Sequence, residues 1–281
     1  MKRLIPSFSC AVLFLAASVA SASTQPVPKF KKVMMVVLEN TDYAQAIQQP
    51  FLAKLASLGA NLTNFYAETH PSQPNYIAMV SGSTHGVKSD SPVNLNVKHI
   101  GDLLEAKQKT WKAYVEQFPG NCFQGATSGI YARKHVPFIS FTNVSKSAAR
   151  CGNVVDASEL DQDMQNGTLP DYSFYTPNMN DDGHDTGAAN ADQWLSDNFG
   201  TRLQDPKFMQ DLLFIVTFDE GTTFGSNQIY TVLYGDSVVP GSVASARYDH
   251  YSLLRTIEDT LGLGNLGQSD ATAAAVTGIW K

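Results

Sequence analysis

The 281-residue chain has only three cysteines, no block of basic residues and no internal repeat. Its formal net charge is −6, and no Lys/Arg cluster exceeds a few residues, which argues against nucleic acid as a main partner. The G-x-S-x-G elbow of α/β hydrolases and the glycine-rich nucleotide-binding loops are also absent from the sequence. These absences disfavour a Ser-His-Asp hydrolase of that type and a nucleotide-cofactor fold.

The N-terminal residues have the pattern of a secretory signal. Lys2 and Arg3 precede an apolar stretch from Cys10 to Val19, and Ala20-Ser21-Ala22 forms an A-x-A cleavage site. We therefore predict a signal peptide over residues 1–22 and a mature chain that is secreted, or periplasmic if the source is bacterial. No later segment reaches transmembrane length.

Removal of this segment leaves two cysteines, Cys122 and Cys151. Disulfides persist in oxidising compartments, so we predict that the two residues form a bond that closes a loop of about 30 residues. Two free buried thiols are the alternative. Three N-x-S/T sequons would accept glycans in a eukaryotic source, at Asn61, Asn143 and Asn166.

Strand-like and helix-like segments alternate along residues 23–281, which suffice for a single large domain. Apolar runs predict strands at 33–38, 111–115, 172–175, 212–218 and 229–234. Periodic apolar residues predict helices at 48–58, 74–81, 100–108, 188–199 and 251–261. The alternation predicts an α/β fold, a three-layer sandwich whose mainly parallel central sheet is covered on both faces.

Two acidic clusters follow the two most apolar predicted strands. Glu39 and Asn40 come directly after the first, and Asp219 and Glu220 come directly after the other. Open α/β sheets bind ligands beyond the carboxyl ends of their strands, so we expect the four side chains to converge at one edge. Crowded carboxylates need a cation to offset their repulsion and desolvation. Solvated strand ends are the alternative, but the two clusters together favour a metal-dependent enzyme.

The segment from Thr69 to Gly82 carries the candidate nucleophile. Ser72 lies just before Pro74, and proline is favoured in the first turn of a helix. A hydroxyl at a helix N-terminus lies where the backbone N–H groups and the dipole favour anions, which suits attack on a phosphate. A neighbouring metal ion would activate that hydroxyl. The alternative is that Ser72 is simply an N-cap.

Histidines in three further motifs are candidate acid, base or ligand groups. Asp182 and His184 lie in a polar loop whose composition is typical of metal or acid/base sites, although a solvated turn is the alternative. His250 directly precedes a predicted helix. His135 follows Lys134 in a basic stretch that could contact phosphate.

In their order along the chain, these motifs resemble the phosphoesterase family of the alkaline phosphatase superfamily, which contains secreted acid phosphatases and bacterial phospholipase C enzymes. The resemblance covers roughly residues 31–262. It rests on Glu39-Asn40, Ser72-Gln73-Pro74-Asn75, Tyr131 to Phe138, Pro177 to His184, Phe218 to Gly221 and His250 to Arg255. The Ser-x-Pro-Asn piece is also similar to the nucleophile segment of nucleotide pyrophosphatases, where threonine replaces Ser72.

The resemblance implies a phosphoryl-enzyme mechanism with one divalent metal cation. Glu39, Asn40, Asp219 and Glu220 would hold the cation, and Ser72 beside it would attack phosphorus in line. Two-metal members of the superfamily carry Asp-His where this chain has Asp219-Glu220. We therefore expect a single metal, although His184, His250 and Asp182 offer ligands for a second.

The resemblance also implies roles for the remaining motif residues. His184 or His250 would protonate the leaving alkoxide, with the imidazolium form populated at mildly acidic pH. Substrate would be contacted by Asn75, Lys134, His135 and Asp182.

The expected substrates are small phosphomonoesters, with phospholipid or phosphoinositide head groups among the candidates. The resulting prediction is a secreted, metal-dependent acid phosphatase that forms a single catalytic domain over residues 23–281. The phospholipase members have additional C-terminal β domains, so a chain ending about twenty residues after the His250 helix favours the phosphatase branch. A phospholipase C-type phosphodiesterase is the alternative, and a non-catalytic phospholipid- or glycan-binding module is a third reading.

Overall fold

The computed structural model describes residues 1 and 26–281, so the predicted signal peptide, apart from Met1, lies outside the described residues. The strands are β1 Lys32–Leu38, β2 Ala60–Leu62, β3 Phe65–Tyr66, β4 Trp111–Val115, β5 Thr127–Ser128, β6 Tyr131–Ala132, β7 Val154–Asp156, β8 Tyr172–Thr176, β9 Leu212–Phe218, β10 Thr231–Tyr234, β11 Ser242–Ala244 and β12 Tyr248–Asp249. The α-helices are α1 Tyr43–Ala46, α2 Pro50–Leu58, α3 Ser72–Ser81, α4 Ile100–Ala106, α5 Thr142–Ser145, α6 Ala148–Cys151, α7 Glu159–Asn166, α8 Ala188–Phe199, α9 Pro206–Met209 and α10 His250–Leu261.

Short 3₁₀ turns connect several of these elements, at Arg133–His135, Pro137–Ser140, Arg202–Gln204 and Ser269–Ala271. In the described part of the chain, no helix is both long enough and apolar enough to cross a bilayer.

The central sheet has the strand order β11-β2-β10-β9-β1-β8-β4-β7. Neighbouring strands run parallel except at β10, which is antiparallel to both β9 and β2. The segment between β9 and β10 contains no helix to carry the chain back across the sheet, so β10 returns in the opposite direction. The prediction of a mainly parallel sheet is confirmed.

Strands β1 and β9 lie side by side in the middle of this sheet. Their register pairs Val33 with Leu213 at one end and Leu38 with Phe218 at the other. All four side chains are fully buried, which explains why both strands are uniformly apolar. Because the two parallel strands end level with each other, the residues that follow them emerge at the same edge.

Helices cover both faces of the sheet. Tyr76 of α3 packs against Phe174 of β8, with ring centroids 6.2 Å apart. Phe199 of α8 packs against the next residue of the same strand, Tyr175, at 5.3 Å. Successive residues of a strand point to opposite faces, so α3 and α8 lie on opposite sides of the sheet. The predicted three-layer architecture is therefore confirmed.

A disulfide joins Cys122 to Cys151, with 5.6 Å between the Cα atoms, as predicted. It fixes the long connection between β4 and β7 near one edge of the sheet. Closing a loop of this length stabilises a fold by about 3 kcal/mol in the chain-entropy model.

Candidate active site

The carboxyl ends of β1 and β9 bring the two acidic clusters together. Glu39 and Asp219 are fully buried, and Glu220 is almost so. The backbone N–H of Asn40 donates to Asp219 Oδ1 at 3.2 Å, which links the two strand ends directly. Asn40 has a φ of 51°, a left-handed conformation that asparagine tolerates better than most residues.

Ser72 is the first residue of α3, and its hydroxyl points at these acids. Ser72 Oγ lies 3.2 Å from Glu39 Oε2 and 3.2 Å from Glu220 Oε1. The residue that precedes the helix is Pro71, and Asp90 Oδ1 accepts the first-turn N–H of Gln73 at 2.9 Å. Ser72 therefore does not act as an N-cap, which was the alternative reading of its position.

Buried acidic groups accumulate in this cluster. Burial, together with the charge of Glu220, raises the pKa of Asp219 to about 8. Burial and the charges of Asp219 and Asp182 likewise raise the pKa of Glu39 well above its usual range. Burial also raises the pKa of Glu220 to about 7. The charge of Lys134 lowers the pKa of Glu39 and of Glu220 but offsets only part of this repulsion.

Two oxygen atoms in the cluster have nothing to bind. Among the described residues, Asn40 Oδ1 and Asp219 Oδ2 are buried without a hydrogen-bond partner. Buried polar atoms are rarely left in this state, because the loss of hydration costs free energy. Carboxylate and amide oxygens are the ligands that hard divalent cations prefer, so this donor set fits such an ion.

His135 lies deeper in the site than expected. Its Nε2 is 3.3 Å from Glu39 Oε1 and its Nδ1 is 3.1 Å from Asp182 Oδ2, although neither contact has hydrogen-bond geometry. Burial lowers the pKa of His135 well below its usual range, so the imidazole is neutral. Enclosed between two acids, His135 resembles a metal ligand more than the substrate contact predicted from the sequence.

His135 also belongs to a triad of residues that could bind a metal ion. Atoms of Glu39, His135 and His184 all lie within 4.8 Å of one another, a spacing that could hold a metal ion. Glu39 thus belongs both to this triad and to the oxygen cluster around Ser72. The sequence predicted a second set from His184, His250 and Asp182, whereas the structure places His135 in the triad.

Lys134 and His184 form a polar wall beside the cluster. Lys134 Nζ lies 3.0 Å from His184 Nε2 and 3.2 Å from Asp90 Oδ2. His184 Nδ1 is 2.7 Å from Asp185 Oδ1. Both side chains of the wall retain some exposure, so a bound anion could reach them.

Two predicted substrate contacts have structural partners instead. The side chain of Asn75 is fully buried, where its Oδ1 accepts the N–H groups of Glu68 and Thr69 and its Nδ2 donates to the carbonyl oxygens of Thr69 and Pro71. Asp182 is also fully buried, and its Oδ1 accepts the backbone N–H of His184. Asn75 therefore differs from the prediction, because all of its polar atoms are paired. Asp182 keeps its Oδ2 without a hydrogen-bond partner among the described residues, 3.1 Å from His135 Nδ1.

His250 also differs from the prediction. Its Nε2 donates to the carbonyl oxygen of Asp219 at 2.7 Å, and its ring packs against Phe65. Burial lowers the pKa of His250 to about 4, so the imidazole stays neutral at mildly acidic pH. The structure makes His250 a support for the Asp219 backbone, in place of the imidazolium donor expected from the sequence.

Two contacts to the glutamates were missed in the sequence. Tyr76 Oη donates to Glu39 Oε1, and His70 Nδ1 lies 2.6 Å from Glu220 Oε2. Both residues belong to the segment that contains Ser72. Both residues are close to Ser72 in the sequence, which could have marked them as part of the site. A tyrosine or a histidine does not by itself indicate a carboxylate partner, so the contacts became evident only from the fold.

The architecture and the site together define a three-layer α/β protein with a buried serine at an acidic, metal-type centre. The fold is similar to that of a protein in the alkaline phosphatase superfamily from Vibrio parahaemolyticus, with a TM-score of 0.59, 14% identity and coverage of 90% of this chain and 73% of the other. It is also similar to murine ectonucleotide pyrophosphatase/phosphodiesterase 5, with a TM-score of 0.56, 11% identity and coverage of 84% and 96%. At such low identity these likenesses show the fold alone.

The model of the phosphoesterase family matches residues 31–264, and the chain belongs to this family. It is 38% identical to a probable acid phosphatase of Kluyveromyces lactis and 36% identical to an acid phosphatase of Aspergillus fumigatus. These matches cover 87% and 90% of this chain but only 61% and 62% of the relatives, so the chain spans about three fifths of their length. The resemblance inferred from the sequence is confirmed.

A bacterial relative is matched over more of its length. The chain is 36% identical to a phosphatidylinositol-3-phosphatase of Mycobacterium tuberculosis, over 90% of this chain and 84% of that protein.

Proposed function

We propose that the chain is a secreted, metal-dependent acid phosphatase that hydrolyses phosphate monoesters through a phosphoserine on Ser72. The observation that carries the proposal is the position of the Ser72 hydroxyl, 3.2 Å from carboxylate oxygens of both Glu39 and Glu220 at the start of α3. Membership of the phosphoesterase family and relatives named acid phosphatase support it.

The oxygen cluster is the proposed position of one divalent cation. Glu39, Asn40, Asp219 and Glu220 would hold it, and the unpartnered Asn40 Oδ1 and Asp219 Oδ2 supply the strongest support. A bound cation lowers the pKa of an adjacent hydroxyl and offsets charge on phosphate oxygens. The Glu39–His135–His184 triad would supply ligands for a further cation, and metal analysis of the purified protein would count the bound ions.

The chain's own residues then supply the remaining chemistry. Ser72 Oγ releases its proton to solvent water and attacks phosphorus, while the bond from phosphorus to the leaving oxygen breaks. Lys134 contacts the non-bridging oxygens, because its ammonium lies at the open side of the site. His184 is the remaining histidine for protonating the leaving alkoxide, since its side chain is partly exposed whereas His135 and His250 are buried. Water then attacks the phosphoserine and releases phosphate.

A two-substrate assay tests the proposal. We expect chelator-sensitive hydrolysis of p-nitrophenyl phosphate that exceeds hydrolysis of bis-p-nitrophenyl phosphate. Preference for the diester would favour the phospholipase C-type alternative. Hydrolysis of neither substrate, with cation supplied, would favour a non-catalytic binding module.

One surface feature favours phosphoinositides as a second candidate substrate. Phe224 is fully exposed in the loop that follows Glu220, at the same edge of the sheet as the site. An exposed aromatic ring there could contact the acyl part of a lipid whose phosphate enters the site. Phe224→Ser should then slow hydrolysis of phosphatidylinositol 3-phosphate in phosphatidylcholine vesicles and leave p-nitrophenyl phosphate hydrolysis unchanged. Val243→Ser, at an exposed position on β11, is the matched control.

A further inference from the structure

The outer oxygens of the two glutamates are held by side chains that flank Ser72. Tyr76 Oη donates to Glu39 Oε1, and the imidazole Nδ1 of His70 lies 2.6 Å from Glu220 Oε2. The other oxygen of each glutamate, Glu39 Oε2 and Glu220 Oε1, lies 3.2 Å from Ser72 Oγ. Each carboxylate is thus fixed on one side and presents its second oxygen to the nucleophile.

The sequence spacing explains why one segment reaches both acids. Tyr76 follows Ser72 by four residues, so the two side chains lie on the same face of α3. His70 precedes the helix in a loop that Asn75 ties down through the N–H and carbonyl groups of Thr69. The segment therefore spans the gap between the ends of β1 and β9, with one donor for each glutamate.

Without these contacts, Glu39 Oε1 and Glu220 Oε2 would each lose the hydrogen-bond partner that the structure gives them. Glu220 is followed by a glycine and a loop that provides no other donor to its Oε2. Partners of this kind orient metal-binding side chains, and their loss costs about 10–100-fold in metal affinity or activity. His135 also approaches Glu39 Oε1, at 3.3 Å, but without hydrogen-bond geometry, so Tyr76 is the donor that fixes this oxygen.

We propose that His70 and Tyr76 are positioning residues, which aim the inner oxygens of Glu220 and Glu39 at the cation position beside Ser72. This inference rests on the proposed function. His70 acts through Glu220 and Tyr76 through Glu39, so neither residue needs to touch substrate. The same short segment then supplies the nucleophile and the orientation of two of its metal ligands.

The two residues differ in exposure, which guides the choice of variants. Tyr76 is fully buried, so Tyr76→Phe removes only the hydroxyl and preserves packing against His135. The side chain of His70 is 31% exposed, so His70→Ala leaves no closed cavity. His70→Asn retains a donor close to the position of Nδ1 and serves as the conservative variant. His85→Ala is the matched control, because His85 lies beyond the C-terminal end of α3, where its ring contacts Ser81.

The experiment measures Mn²⁺ binding to the whole mature protein, from the electron paramagnetic resonance signal of the free ion. We expect His70→Ala and Tyr76→Phe to raise the Kd for Mn²⁺ by about 10–100-fold. His70→Asn should restore a Kd close to the wild-type value, and His85→Ala should leave it unchanged. At saturating Mn²⁺, kcat of His70→Ala should recover while KM for p-nitrophenyl phosphate changes little, because the lost step is cation binding.

The outcomes separate this inference from the function on which it rests. If the wild-type protein binds Mn²⁺ and both His70→Ala and Tyr76→Phe bind it with the same Kd, the positioning role alone is overturned. A His70→Asn variant as weak as His70→Ala would also overturn it, since the donor is retained. Failure of the wild-type protein to bind Mn²⁺ would overturn the proposed cation site as well.

Discussion

Replacing Asp219 with asparagine should stabilise the protein in the absence of metal and abolish its stabilisation by metal. The carboxylate is fully buried beside Glu39 and Glu220, with one oxygen accepting the Asn40 N–H and the other without a hydrogen-bond partner among the described residues. Asparagine can keep the first contact and remove the charge. The change therefore relieves repulsion only while no cation is bound.

The pKa of Asp219 sets the size of the effect. Burial and neighbouring acids raise this pKa from 3.8 to about 8. At 1.36 kcal/mol for each pH unit, keeping Asp219 ionised at pH 8 costs about 6 kcal/mol relative to the unfolded chain. Protonation of Glu39 or Asp182 relieves part of the same repulsion, so about 3 kcal/mol is a realistic gain for Asp219→Asn. For a domain of this size, that corresponds to a Tm higher by about 6–12 °C.

The assay is thermal unfolding at pH 8, with chelator and then with excess Mn²⁺. The Tm of the wild-type protein should rise on addition of Mn²⁺. Asp219→Asn should have a higher Tm than wild type in chelator, and Mn²⁺ should raise it little. Asp192→Asn is the matched control, because the Asp192 carboxylate is also buried but accepts the N–H groups of Phe51 and Leu52 at the start of α2. That variant should lower Tm and keep the Mn²⁺ effect. A lower Tm for metal-free Asp219→Asn, or a full response to Mn²⁺, would refute the reasoning.

Three further outcomes follow from the structure. The unfolding free energy of chelator-treated protein should fall as pH rises from about 4 to about 8, since the folded protein holds protons on Asp182 and Asp219 that the unfolded chain releases; a profile flat over that window would be inconsistent. Lys134→Gln should lower kcat/KM for p-nitrophenyl phosphate by about 10–100-fold, because a positive charge at the phosphate is lost. Steady-state kinetics measure this ratio, and an unchanged kcat/KM would contradict the prediction. Joint replacement of Cys122 and Cys151 by alanine should cost about 3 kcal/mol in urea unfolding, while catalysis in dilute denaturant-free buffer remains.

The parts of the fold that could be predicted are those with a strong local pattern. The apolar runs at β1 and β9 are long enough to identify buried strands, and the polar residues after them mark the sheet edge that carries the site. Helices α8 and α10 follow from their apolar periodicity. Strands β2, β7 and β11 have three residues each, which is too short for any period to emerge.

The predictable part of the site follows the same division. Glu39, Asn40, Asp219 and Glu220 could be grouped because parallel strands fix the relative positions of the residues that follow them. His135 could not, because it lies in a 3₁₀ turn within the long connection between β4 and β8, where tertiary contacts decide the path of the chain.

The burial of individual polar side chains could not be predicted from the sequence either. A histidine at a helix start has the same sequence signature whether it faces solvent or the core. His250 faces the core, where desolvation removes the charge that the predicted proton donor required. Asn75 likewise has a side chain suited to substrate binding, but the adjacent loop uses all of its hydrogen-bonding capacity.

The most direct measurement is the search for a phosphoryl group on Ser72 during turnover. Enzyme mixed with p-nitrophenyl phosphate and excess Mn²⁺ would be quenched in acid and its peptides analysed by mass spectrometry. We predict phosphoserine at Ser72 in the wild-type protein, and a folded Ser72→Ala variant with no phosphopeptide and with kcat lower by several orders of magnitude. Near-normal turnover by Ser72→Ala, or a phosphoryl group trapped on another side chain, would contradict Ser72 as the nucleophile.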